Sequence, residues 1–178
     1  MNIIIVNGYP EVGKTTFENF CLAKKPGEKI SSIDYVKEVA KYLGWNGEKT
    51  PKDRAFLSNL KRILTEWNEV PLQEVLKKIS EIERKWEIER MSTKELFIFV
   101  DVREPEEIEK YKRVMEDLGW KVHTVLITNE EKAGNFSNTS DANVLEYSYE
   151  YIVVNEKRKG LDALEKSAED FINYVIKQ

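Results

Sequence analysis

This sequence predicts an α/β fold in three layers, α/β/α, with a five-stranded, mostly parallel sheet and additional helices inserted between its strands. Apolar runs that read as strands alternate with stretches of helical period along the chain. Two of the runs, Asn2-Ile-Ile-Ile-Val6 and Leu96-Phe-Ile-Phe-Val100, are apolar on both faces, as strands covered by helices on either side must be. The first leads into Gly8-Tyr-Pro-Glu-Val-Gly13-Lys14-Thr15, which has the GxxxxGK[ST] spacing of a phosphate-binding loop at a strand-to-helix turn.

In chain order, strand 2–6 is followed by helix 14–24, a short strand at 29–33 and helix 34–43, which Gly44 ends. The polar loop Asn46-Gly-Glu-Lys-Thr-Pro51 precedes a helix over 52–67. Phe56, Leu60, Ile63 and Trp67 form one stripe of that helix, read as its packing face, and Arg54, Ser58, Lys61 and Arg62 form the other. Pro71 announces a helix over 71–92, with Leu72, Val75, Leu76, Ile79, Ile82 and Trp86 on one face. Strand 96–100 ends in Asp101, and helix 105–118 runs from Pro105 to Gly119. Strand 121–127, a polar loop over 128–142, strand 150–154 and helix 161–176 complete the order. A single domain is expected, with a helical insert at 46–93 and a lid-like loop at 128–142.

The loop motif has a definite chemistry. Gly8 and Gly13 allow backbone dihedrals that turn successive N–H groups toward phosphate oxygens. Lys14 reaches the β/γ-phosphates, the Thr15 hydroxyl ligates Mg²⁺, and the helix that starts here points its positive end at the anion.

Composition narrows the alternatives. The chain is 41% hydrophobic and 34% charged, with no apolar run long enough to cross a bilayer. No basic, apolar leader precedes the first strand, so a cytoplasmic protein is expected. Cys21 is the single cysteine and His123 the single histidine, which disfavours disulfides and zinc; both read as core residues. A net charge of −4 argues against broad nucleic-acid binding but leaves a local basic site open. Self-association as a homodimer is compatible with the sequence.

Ligands of parallel α/β sheets bind at the carboxyl ends of the strands, and the loop, Asp101 and Asn155 all follow strand ends. Phosphoryl transfer there needs positioning, a metal and positive charge. Asp101 is a candidate metal or proton acceptor, and Arg103 a candidate phosphate clamp. The bland alternative makes Asp101 a helix cap and pairs Arg103 with Glu104, Glu106 or Glu107. Lys49, Lys52, Arg54, Lys61 and Arg62 against the single acid Asp53 suggest an anion-binding face on the insert. Of the tryptophans, Trp45 is the candidate acceptor contact and the others read as packing residues.

Four segments resemble the P-loop nucleoside and nucleotide kinase superfamily, in the branch of phage deoxynucleoside monophosphate kinase and animal-type phosphomevalonate kinase. They are GYPEVGKTT at 8–16, FVDVREPEEIEKYKR at 99–113, Thr139-Ser140-Asp141, and YIVVNE at 151–156. The resemblance implies that Lys14, Thr15 and Thr16 bind ATP phosphates and Mg²⁺, that Asp101 and Arg103 sit at the reacting centre, and that Asn155 lies against the adenine. Lys37 and Arg54 would face the acceptor; with Asp34, Lys61 and Arg62 they make the expected acceptor-binding set. The lid departs from the pattern, since Asn129-Glu-Glu-Lys-Ala-Gly-Asn-Phe-Ser-Asn-Thr139 offers only Lys132 where such kinases bring arginines. Arg103 or Arg113 would then take that role, while Gly134 still permits closure.

The expected activity is transfer of the ATP γ-phosphate to a phosphorylated small molecule, foremost a nucleoside or deoxynucleoside monophosphate. Two alternatives are a kinase acting on hydroxymethylated bases in phage DNA and a nucleotide-binding regulatory ATPase without an acceptor.

Overall fold

A computed structural model of the chain describes residues 1–89, 91–129 and 143–178. The lid-loop expectations on Lys132, Gly134 and Thr139-Ser140-Asp141 lie outside the described residues. The strands are β1 (Asn2–Asn7), β2 (Gly27–Ser31), β3 (Phe97–Asp101), β4 (Lys121–Thr128) and β5 (Tyr151–Val154). The helices are α1 (Lys14–Lys24), α2 (Asp34–Tyr42), α3 (Pro51–Asn68), α4 (Val70–Ile88), α5 (Pro105–Asp117) and α6 (Gly160–Lys177).

The strands form one sheet in the order β2-β3-β1-β4-β5, and each described pairing is parallel, where the sequence reading allowed for a mixed sheet. β1 is central, with all six of its residues buried. Alternation along the strands divides the core. Ile4, Val6, Phe97, Phe99, Val125 and Ile127 face α1 and α6, where they meet Phe17, Cys21, Leu164, Ala168 and Phe171. Ile3, Ile5, Ile98, Val100 and Val122 face the other way, onto Leu72, Val75 and Ile79 of α4 and Ile108, Tyr111 and Met115 of α5. Helices on both faces explain why the central strands carry no polar alternation.

The second strand starts two residues earlier than its sequence pattern suggested, because Gly27 pairs with Phe97 at the beginning of β3. Expectations for α4 hold well: Leu72, Val75, Ile79 and Ile82 are buried, and Leu76 and Trp86 pack against the same core. Those for α3 need correction. Its inward side carries Leu57, Leu60, Lys61 and Leu64, packed with Val36 and Ala40 of α2. Phe56, Ile63 and Trp67 are 37%, 54% and 81% exposed. The helix has two overlapping apolar stripes, and periodicity cannot tell which of them a neighbouring helix covers. Trp45 belongs to the small α2–α3 core, and its indole Nε1 donates to the Glu48 carbonyl.

α3 is well bounded. Thr50 Oγ1 accepts from the Asp53 N–H, the Asp53 carboxylate accepts from the Thr50 N–H, and Pro51 opens the first turn. Glu69, in the left-handed region at φ 51°, separates α3 from α4 and pairs with Lys110 of α5. Among the described residues no helix is long and apolar enough to cross a membrane. Ile79 is completely buried between α4 and the sheet. Ile79→Ala is therefore expected to cost about 2–5 kcal/mol in urea unfolding.

Candidate active site

β1 ends where the motif begins, and two close approaches fix the loop. At Gly8 (φ +145°) a Cβ would lie 2.1 Å from the Ile127 carbonyl oxygen of β4, so only glycine fits. At Gly13 (φ +101°) it would lie 2.5 Å from Nδ2 of Asn155. Glu11, at the loop's turn, adopts φ 62°, an uncommon conformation for a residue with a side chain. The Phe17 N–H donates to the Gly13 carbonyl at 2.9 Å to begin α1, so that Lys14, Thr15 and Thr16 occupy its N-terminal turn. Lys14 Nζ donates to the Gly8 carbonyl at 2.6 Å and the Tyr9 carbonyl at 2.9 Å, so the loop's own oxygens hold its ammonium.

Asn155, just past β5, donates from Nδ2 to the Val12 carbonyl at 2.8 Å, and its own N–H donates to the Thr128 carbonyl. Its side chain is thus engaged in bracing the loop from behind. Asn7 is a second brace. Its Oδ1 accepts from the Gly8 N–H at 2.7 Å, while its Nδ2 donates to the Arg103 carbonyl at 2.8 Å and to the Tyr149 hydroxyl at 2.7 Å. Tyr149 passes its own hydrogen to the Val144 carbonyl. One amide therefore joins the phosphate loop, the β3–α5 connection and the segment before β5.

Asp101 ends β3 opposite Val6 of β1 and Ser31 of β2. Its backbone carbonyl accepts from the Ser32 N–H. Burial raises its carboxyl above the usual carboxylate range, while Lys14, Arg103 and Lys29 pull it down and Asp34 pushes it up. Strand register, the Asn7 contact with Arg103, the Lys14 contact with Gly8 and the Asp34 contact with Ser31 place Asp101, Lys14, Arg103 and Asp34 at one rim. Beneath it lies Glu18, 2% exposed and one turn along α1 from Lys14. Glu18 Oε1 and Asp101 Oδ1 are both buried, and neither meets an N–H or O–H donor among the described residues. Burial first, and then the Asp101 charge, push Glu18 up to about 8, with Lys29 at 3.9 Å the nearest cation.

The expected acceptor residues divide. Asp34 accepts from the Ser31 N–H at 2.9 Å and lies 3.5 Å from Lys37, which puts both beside the rim. Lys61 is turned inward, 9% exposed, and donates to Glu104 at 2.7 Å and Glu107 at 2.5 Å. Arg62, the next residue and about 100° around the helix, is exposed and held by Glu66 at 2.9 Å. Arg54 donates to the Lys49 carbonyl at the first turn of α3. The 49–62 cations therefore do not share one open face, and Lys61 is committed to two carboxylates that tie α3 to the start of α5. In this cluster burial pushes Glu107 up to about 7. Glu104 is lowered although burial opposes it, because the proton on Glu107 and the Lys61 ammonium both favour its charge. His123 and Cys21 are buried core residues, with His123 Nδ1 3.2 Å from Glu150; burial lowers the imidazole and raises the thiol.

Sequence reading missed Asn7, Glu18, Tyr149 and the Glu104/Glu107 pair. Glu18 was the most accessible of these, since it falls with Lys14 and Cys21 on one side of α1. Asn7 stands out only as the polar residue that closes an apolar strand.

No protein-family model matches the chain, and no curated protein does. Solved structures do match. The chain covers 98% of the Mycobacterium tuberculosis APS kinase, solved in complex with AMPPNP and APS, over 99% of its own length, with a TM-score of 0.51 and 10% identity. A candidate kinase from Chloroflexus aurantiacus matches over 97% of this chain and 96% of its own, with a TM-score of 0.53 and 11% identity. The chain shares the three-layer α/β/α fold of these two structures.

Two outcomes test this geometry. Asn155→Ala leaves the Val12 carbonyl without its side-chain donor and is expected to lower stability by about 1–3 kcal/mol, read from denaturant midpoints. Glu18 would lose its proton near 4.5 in the unfolded chain and near 8 in the folded one, so between those values the folded state binds more protons. Its contribution to stability is then fully present below the lower value and is lost as pH rises through the upper one. Glu18→Gln is expected to flatten that decline in urea midpoints measured without divalent metal.

Proposed function

We propose that this protein is an ATP-dependent kinase that transfers the γ-phosphate to a small acceptor already bearing a phosphate, foremost a nucleoside or deoxynucleoside monophosphate. The observation that carries the reading is that strand register and the Asn7 and Lys14 contacts bring Lys14, Asp101 and Arg103 to a glycine-shaped loop at the carboxyl edge of the sheet. The fold shared with an APS kinase supports it.

In this reading the loop N–H groups and Thr16 hold the donor phosphates, and the Lys14 ammonium exchanges the Gly8 and Tyr9 carbonyls for β/γ-phosphate oxygens. Arg103 balances charge that develops on the transferring group. Asp101 orients the attacking oxygen, and its raised pKa suits it to take up the proton released there. Asp34, Lys37 and Arg54 form the acceptor side, with Arg62 at its outer edge, and Lys61 acts through its grip on the start of α5. Asn155 aligns the loop and borders the adenine.

The residues fit Mg²⁺. The Thr15 hydroxyl stands at the first turn of α1, and Asp101 Oδ1 is a buried carboxylate oxygen with no protein donor. Mg²⁺ takes one or two such protein oxygens and completes its shell with water and phosphate, where it would neutralise phosphate charge.

The test is acceptor-dependent ADP release from Mg²⁺–ATP across nucleoside and deoxynucleoside monophosphates, dephospho-CoA and phosphomevalonate. One class is expected to stimulate turnover. Lys14→Ala is expected to lower it by about 10²–10³-fold. ATP binding with no stimulation by any acceptor would overturn the kinase reading in favour of a nucleotide-binding ATPase.

A further inference from the structure

The α3 helix turns a second apolar stripe outward. Phe56, Ile63 and Trp67 are spaced by seven and four residues, which places them within about 20° of one line down the helix. Leu60, partly buried, lies at the margin of that line. Trp67 is 81% exposed and Ile63 54%, although both lie within a well-capped helix of 18 residues. Large apolar groups lined up in this way mark an interaction surface more often than isolated exposed ones do.

The order of residues says what fits. Read along the helix, the stripe is aromatic, aliphatic, aliphatic, aromatic, and its midpoint falls between Lys61 and Arg62. Turned end for end, the stripe presents the same order. An antiparallel copy would set Phe56 against Trp67 at both ends and Leu60 against Ile63 at the centre, the self-complementary pattern of a two-fold contact. Near the midpoint, Arg62 is already neutralised by Glu66 of its own helix at 2.9 Å, so two copies would not confront bare like charges.

The area is sufficient. With roughly 150–250 Å² for a fully exposed large side chain, the exposed parts of Phe56, Ile63 and Trp67 amount to about 350 Å² of apolar surface per chain. Interfaces are about 60% apolar, so this core implies about 600 Å² per partner, the lower end of the range of stable complexes.

We propose that this protein forms a two-fold dimer through the outward stripe of α3, with Phe56, Leu60, Ile63 and Trp67 of one copy packed antiparallel against those of the other. The four stripe residues include none of those placed at the loop or the acceptor side, so the dimer is argued from α3 alone and not from the kinase reading.

The test is sedimentation equilibrium of the full chain from about 1 to about 100 µM, the weak end of the range for interfaces of this size. A monomer–dimer equilibrium is expected. Trp67→Glu and Ile63→Lys, each checked for native circular dichroism, should weaken it by at least about 30-fold, as loss of an interface anchor does. Since Cys21 is buried, Ile63→Cys supplies the one accessible thiol among the described residues. A short bis-maleimide should then link two copies through residue 63. A monomer at every concentration overturns the proposal. So does a dimer that both folded variants leave intact, or one that the Ile63→Cys thiol cannot link, because its contact then lies elsewhere.

Discussion

The end of β1 approaches β4 so closely that no side chain fits at Gly8, and the arrangement of the rim depends on that approach. The Ile127 carbonyl would lie 2.1 Å from a Cβ, so the chain can turn from strand into loop here only as glycine. The turn sets the start of α1, and with it Lys14, Thr15 and Thr16. Asn7, one residue earlier, converts the same turn into a junction by bonding the Gly8 N–H, the Arg103 carbonyl and Tyr149. The sheet beneath the loop, through Asn7 and the Gly8 approach to β4, fixes its start, and its own carbonyls hold Lys14.

Charge is buried in two places around that junction. Glu18 is buried beside Asp101, where burial and the Asp101 charge raise its pKa, and Lys61 is enclosed by Glu104 and Glu107 where the inserted helix meets α5. Buried charges of this kind contribute more to geometry than to net stability, because desolvation offsets most of their attraction. Here they fix two relationships that apolar packing would leave loose: the height of Asp101 above α1, and the seating of α3 beside the Arg103 connection.

Much of the fold was legible in the sequence. Isoleucines in β1 and the Phe97–Val100 run are apolar on both faces, and this two-sided pattern required a parallel sheet covered by helices. The spacing of Gly8, Gly13 and Lys14 located the loop, since no other common motif combines those residues at a strand end. On α4 a single broad apolar face left no ambiguity. The α3 helix was misread because it has two apolar stripes, and local periodicity weighs them equally. The basic cluster at 49–62 failed for a related reason: successive residues such as Lys61 and Arg62 point about 100° apart, so one faces the interior while the other faces solvent.

The sequence by itself determined the element types, the sheet class and the position of the glycine-shaped loop, because these follow from periodicity and from local backbone chemistry. Only the tertiary structure decided the partners of Asn7, Glu18, Lys61 and Asn155. The Asn7, Lys61 and Asn155 contacts span 43 to 143 residues of chain, and no local pattern records which distant carbonyl or carboxylate a polar side chain will meet.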